Sequence, residues 1–218
     1  VNFQVYGNME PQKAATEAVR ETEGQILCQD GEAVEAYYFS TSAGVTSTDE
    51  IWGSDEAAPY LRSVPCKFDE EEPWSSWIVE LPWKMLEDRI REKGEGTVLR
   101  SVTVTRRSES GAATALEAVS DKDSCIIENE YEIREFLAPV NCTITEKDGT
   151  ETTGGRLLPS AYFELERTQN GNLQVRGKGY GHGVGMSQTG ADKMAEQGYD
   201  YREILDYFFR NITVENLG

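Results

Sequence analysis

Apolar residues recur along the chain with two spacings, one that suits helices and one that suits strands. Pro11 followed by Ala14, Ala15, Ala18 and Val19, with Gly24 past the end, predicts an amphipathic helix. The stretches 25–28 and 33–39 flank Asp30-Gly31, a dipeptide that tolerates the positive φ angles of a tight hairpin turn. Residues 77–81 read as a strand, and Pro82 opens a helix with Trp83, Leu86 and Ile90 on one face and Gly94 at its end. Strands are predicted at 98–105 and 112–119, and a helix at 130–137. Asn170-Gly171 joins 163–167 to 172–177 in a second hairpin of the positive-φ type. Ser187 or Thr189 can cap a helix carrying Ala191, Met194 and Ala195. Asp200 with Glu203 forms a capping-box-like start to a last helix, whose apolar face is Tyr201, Ile204, Leu205 and Phe208.

This order of elements predicts an α+β fold, a mostly antiparallel β core with short helices and an α+β insertion. The core is expected in two segments, 1–69 and 151–218, with the insertion at 70–150. Four acids in a row, Asp69 to Glu72, precede Pro73 and read as a solvated linker at the first boundary. The polar run 146–155 returns the chain to the core.

One stretch resists this reading. Between Gly177 and Gly185 a glycine stands at every second position, and the sole histidine, His182, lies among them. As a strand, the stretch would place glycines on one face and Tyr180, His182, Val184 and Met186 on the other. Glycine in a strand costs backbone entropy, so the run calls for a reason: close approach to bare main chain by a ligand or another segment, or relief of a tight barrel corner. The spacing does not fit commoner motifs. A dinucleotide fingerprint counted from Gly177 and Gly179 would need glycine where His182 stands. No GxxxxGK[ST] exists, and Ser187 lacks the following glycine of a nucleophile elbow, since Thr189 holds that place.

Charge narrows the partners. With 21 basic and 39 acidic residues the formal net charge is −18, which argues against nucleic acid or an anionic membrane as a binding surface. No apolar run reaches the length of a membrane span. Cys28, Cys66, Cys125 and Cys142 are scattered, without a C-x-x-C pair or a Cys/His cluster, so neither a metal nor a cofactor is expected. They read as small buried hydrophobes, with one or two disulfides open in an oxidising compartment.

The stretch Gly181-His182-Gly183-Val184-Gly185-Met186-Ser187-Gln188, followed by Gly190-Ala191, resembles the GHGVGMSQ-G-A signature of the SpoIID family, the stage II sporulation protein D and amidase-enhancer family. Gln4-Val5-Tyr6, Ala18-Val19 through Leu27, Ala36 through Thr46, Pro59-Tyr60-Leu61, Glu132-Ile133-Arg134, Leu158-Pro159-Ser160, Phe163 and Ile204-Leu205 match further family segments in order. The resemblance implies a lytic transglycosylase that cuts the MurNAc–GlcNAc bond of peptidoglycan strands stripped of stem peptides. In that chemistry one glutamic acid protonates the leaving oxygen and then assists closure of a 1,6-anhydro ring. The family places this glutamate upstream of its QVY segment, so it is expected before residue 1; a divergent member with its acid elsewhere stays open, and no motif match assigns the role to Glu10, Glu17 or another acid of the present sequence.

The same resemblance leaves open a non-catalytic wall-binding module that recruits or stimulates an amidase. The expected partners are peptidoglycan glycan strands, other cell-wall hydrolases or sporulation engulfment proteins. The expected location is outside the cytoplasmic membrane, with anchoring by an amino-terminal segment. Gln4, Tyr6, Ser40, Thr41, Ser42, Gly44, Tyr180, Gly181, His182, Gly183 and Gln188 are expected to line a sugar groove, Tyr6 stacking on a pyranose face. His182 is read as a donor to sugar or an orienter of the acid. A hydrolase pairing Ser187 with His182 is the weaker third reading, since no orienting acid is identifiable.

Overall fold

The computed structural model describes residue 10 and residues 12–217. The chain begins with α1 (Lys13–Glu21), β1 (Gln25–Gln29), β2 (Glu32–Ala33) and β3 (Tyr38–Phe39). After a long irregular stretch come β4 (Trp77–Leu81), α2 (Trp83–Glu92), β5 (Leu99–Arg107), β6 (Ala113–Ser120) and β7 (Ser124–Glu128). Then follow α3 (Glu130–Phe136), β8 (Thr143–Glu146), β9 (Glu151–Thr153), β10 (Phe163–Arg167) and β11 (Leu173–Gly177). The last elements are β12 (Met186–Ser187), α4 (Gln188–Glu196), α5 (Tyr201–Phe208) and β13 (Thr213–Asn216). The fold is α+β with largely antiparallel sheets, as the residue pattern predicts.

Among the described residues these elements fall into two compact units, one holding those up to 35 and from 212 onward, the other 36–211. In the smaller unit β1 pairs antiparallel with both β2 and β13. Asp30 and Gly31 both take positive φ, 53° and 82°, as the two-residue turn requires. The second strand of this hairpin ends at Ala33, short of the expected 39, and Tyr38–Phe39 instead pairs in parallel with Met186–Ser187 in the larger unit. Helix α1 buries none of its residues, and Pro11 lies outside the described residues.

The larger unit is built on a five-stranded sheet of order β10-β11-β4-β8-β9. Trp77, Val79 and Leu81 alternate inward along β4 and lie in register with Gly177, Val175 and Leu173 of β11. A three-stranded sheet, β5-β6-β7, with α2 and α3 closes the other side of one core that includes Leu86, Ile90, Leu116, Ile133 and Phe136. Each such buried side chain contributes about 1.5–3 kcal/mol. Because β4 sits between β11 and β8, the expected boundaries at 69/70 and 150/151 both fall inside this unit. The sequence offers no pattern for β7 or β13; the polar run 146–155 holds the tight turn that joins β8 to β9.

Helix ends follow their local chemistry. Asp200 accepts from the Arg202 and Glu203 backbone N–H groups while the Glu203 carboxylate accepts from the Asp200 N–H, a complete capping box. Ser187 caps α4 by accepting from the Gly190 N–H. Gln169-Asn170-Gly171 makes a three-residue loop in which Gly171 alone turns to positive φ, 80°.

Candidate functional site

The glycine stretch is not a strand. Gly179, Gly181, Gly183 and Gly185 all take positive φ, between 75° and 114°, which breaks the pleat at every second residue. Strand-type pairing with the segment 36–47 is limited to isolated bridges, Thr41 to Tyr180 and Ser47 to Val184, before β12 joins β3. The bare faces are covered from within the protein. A Cβ on Gly179 would lie 2.8 Å from the Thr41 carbonyl oxygen, one on Gly181 2.7 Å from Phe39 Cβ, and one on Gly183 2.9 Å from the Tyr162 ring. At Gly185 the clash would be with the Tyr37 carbonyl. Of the two explanations for bare main chain, close approach by other chain segments is the one realised: Gly179, Gly181 and Gly185 lock the ribbon onto 37–43, and Gly183 sits on Tyr162.

Beneath that lock lies a carboxylate that the acidic run conceals. Asp69 is 1% exposed, which corrects the reading of Asp69 to Glu72 as a solvated linker. Its two oxygens accept from the Ser42 N–H at 2.7 Å, the Ser42 hydroxyl at 2.7 Å and the Ser187 hydroxyl at 2.6 Å. Thr189 Oγ1 and the Cys66 thiol add longer contacts at 3.4 and 3.5 Å. A buried carboxylate is tolerable when donors satisfy it, and here they come from three separate chain segments. Asp69 therefore ties the 40–44 loop to the start of α4. The same environment pushes the Cys66 thiol up to about 12, through burial first and the Asp69 charge second.

His182 is fixed by a different set of contacts. Its Nδ1 accepts from the Val184 N–H at 3.1 Å, and its ring meets Trp52 and Phe39 edge to face, with centroids 5.2 and 5.8 Å apart. Burial holds its pKa below the ordinary histidine value; the Glu130 charge opposes this and the Arg134 charge adds to it. Those two form a buried ion pair, with Arg134 Nε also donating to the Leu158 carbonyl at 2.8 Å. The ring is thus neutral near pH 7 and wedged between aromatics. Ser187 is bonded to Asp69, so it makes no pair with His182 of the kind a serine hydrolase needs.

The structure sorts the predicted groove residues into two groups. Tyr180 is 43% exposed and lies against Trp74, with ring centroids 4.6 Å apart; Gln188 is exposed, and Ser40 is half-buried beside it. The Ser40 carbonyl accepts from the Thr189 N–H and hydroxyl, and the Thr41 and Tyr180 backbones exchange two hydrogen bonds, so these residues share one rigid patch. Thr41 and Ser42 are buried, Ser42 on Asp69, and act as its scaffold. Gly44 turns at φ 94° with open space before it, beside a cavity of about 320 Å³ lined in part by Ser42, Ala43, Ser75, Ser76 and Lys178. Gly181 and Gly183 face protein, and Gln4 and Tyr6 lie outside the described residues. Sequence reasoning missed Asp69, Trp52 and Trp74. No local pattern marks them, because each meets the 180–187 stretch from more than a hundred residues away.

Comparison with known proteins gives two kinds of match. A family described as a domain of unknown function (DUF8618) matches residues 66–185. Stage II sporulation protein D of Bacillus amyloliquefaciens is 31% identical over 202 residues, covering 93% of this chain and 51% of that protein. Its namesake in Bacillus subtilis (strain 168) is 30% identical over 203 residues, with coverage of 93% and 51%. The Amidase enhancer of Bacillus subtilis is 23% identical over 245 residues, covering 97% of this chain and 34% of that protein. The chain thus spans about half the length, or less, of these curated relatives.

Proposed function

Because the chain belongs to the family described as a domain of unknown function (DUF8618) and is related to the stage II sporulation protein D family, we propose that it binds peptidoglycan glycan strands on the outer side of the cytoplasmic membrane. The observation that carries this is exposed Tyr180, backed by the half-buried Trp74 ring and set beside Ser40 and Gln188 on a scaffold held by buried Asp69. Sugar rings present apolar C–H faces and polar edges, and an aromatic platform rimmed by hydroxyl and amide groups suits both. Among the described residues no helix is long and apolar enough to cross a membrane.

Within a longer protein such a surface serves a lytic transglycosylase that cleaves MurNAc–GlcNAc bonds, with this chain positioning the strand. A second reading, a glycan-binding module that recruits or enhances an amidase, draws on a specific observation. The buried carboxylates of the described residues are all engaged: Asp69 by hydroxyls, Glu130 by Arg134 and Glu146 by Thr152. None of these is free to hand a proton to a leaving oxygen. Full-length protein incubated with glycan strands lacking stem peptides separates the two. Products ending in a 1,6-anhydro sugar, detected by mass spectrometry, support the enzyme; bound but uncut strands support the module. Tyr180→Ala should weaken strand binding about fivefold by loss of stacking. Unaltered binding by that variant overturns the placement of the strand.

A further inference from the structure

Basic side chains are scarce in this chain, yet they gather at one cavity. Next to the Gly44 cavity lies a second of about 280 Å³, and both are lined by Ala43 and Lys178. Arg107 and Arg176 line it with Lys178, against one acid, Glu164. Across the whole sequence acids outnumber bases, 39 to 21, so three cations to one anion reverses the prevailing sign.

The three cations are not equivalent. Arg107 is already occupied, donating to Glu164 at 3.0 Å and to the Phe163 and Gly111 carbonyls at 2.8 and 3.0 Å. Arg176 has a loose contact with Glu166, 4.0 Å. The Lys178 amine has no ion pair or hydrogen bond among the described residues. Its backbone is nevertheless held firmly: its N–H donates to the Tyr162 carbonyl, and its carbonyl accepts from Ser160 Oγ at 2.6 Å. On either side Gly177 backs onto the Trp77 ring and Gly179 onto Thr41, so the protein occupies those faces and leaves Lys178 exposed at the cavity. An unpaired Lys178 and a loosely paired Arg176 thus stand two and four residues from Tyr180 in sequence, both lining the same cavity.

We propose that the cavity lined by Lys178, Arg176 and Arg107 is a subsite for a carboxylate carried by the chain that lies across Tyr180. It rests on the glycan reading of the Tyr180 patch and adds an electrostatic selection to it. A sugar-borne carboxylate, such as the lactyl group of a muramic acid freed of its peptide, and a peptide-borne one share this chemistry.

The test uses the full-length protein and three probes: a GlcNAc–MurNAc tetrasaccharide with free lactyl carboxylates, neutral chitotetraose, and the dipeptide L-Ala-D-Glu. Binding is followed by calorimetry at low and high ionic strength. The acidic tetrasaccharide is expected to bind about tenfold more tightly than the neutral one at low salt, the scale of a charge-assisted contact. That preference should fall toward unity at high salt and in the Lys178→Gln/Arg176→Gln variant, with chitotetraose affinity unchanged. A preference that survives the double substitution overturns the subsite, while Tyr180-dependent binding of chitotetraose would still uphold the glycan reading. Lys178-dependent binding of the dipeptide without either sugar supports the subsite and overturns the glycan reading. Failure of every probe on protein with unchanged circular dichroism overturns both.

Discussion

Replacing Asp69 tests whether a buried carboxylate organises the candidate site. In Asp69→Ala the Ser42 N–H loses its 2.7 Å acceptor, and the Ser42 and Ser187 hydroxyls lose theirs at 2.7 and 2.6 Å. The hydroxyls have other carbonyls within reach: Cys66 at 3.4 Å for Ser42 and Ser40 at 3.3 Å for Ser187. The backbone N–H has no such substitute among the described residues and is left orphaned in a buried position, at a cost of about 1–3 kcal/mol. Weakened hydroxyl contacts and the void left by the carboxylate add about 1 kcal/mol more, so the expected loss is about 3 kcal/mol. For a chain of 218 residues this lowers the thermal midpoint by roughly 6–12 °C. Asp69→Asn keeps the shape and one acceptor oxygen, and the serine hydroxyls can turn to accept from the new amide, so its loss should be about half as large. Urea unfolding followed by tryptophan fluorescence reads both. An Asp69→Ala protein within about 0.5 kcal/mol of wild type would refute the hub, since that is the range of neutral surface changes.

Further outcomes rest on the same geometry. Gly185→Ala forces a Cβ against the Tyr37 carbonyl at φ 79° and should cost at least about 3 kcal/mol, whereas Gly44→Ala, at φ 94° with open space, should cost about 1 kcal/mol; equal midpoints would contradict the packing of the ribbon. His182 has a folded pKa below its unfolded value near 6.5, so the unfolded chain binds the extra proton first and stability falls as pH drops below about 6.5. His182→Gln should flatten the unfolding midpoint between about pH 7 and pH 5, and an unchanged slope would count against the buried neutral ring. With its pKa near 12 and no exposed surface, Cys66 should resist alkylation in native protein at neutral pH while the half-buried Cys142 reacts; peptide mapping in which Cys66 labels first would contradict its burial.

Residue order alone settles the pieces whose physics is local. Asp30-Gly31 carries its own turn, Asp200 with Glu203 closes its own helix, and Pro82 and Gly94 bracket α2. The α+β class and the kinship signalled by the His182 stretch were legible for the same reason, since they rest on residue order and spacing. The remainder depends on contacts made between distant segments. Asp69 looks like its solvated neighbours Glu70 and Glu71 until Ser187, 118 residues onward, donates to it. The glycines at 179–185 announce a close approach but not by which segment; for Gly179, Gly181 and Gly185 the answer, 37–43, lies well over a hundred residues away. Strand β13 has no pattern to mark it because β1 supplies its hydrogen bonds, and β4 binds 70–150 to the carboxy-terminal part of the chain because β11 lies beside it. Caps and turns are settled within a few residues of chain, whereas burial of a charge or pairing of a strand depends on partners that only folding brings near.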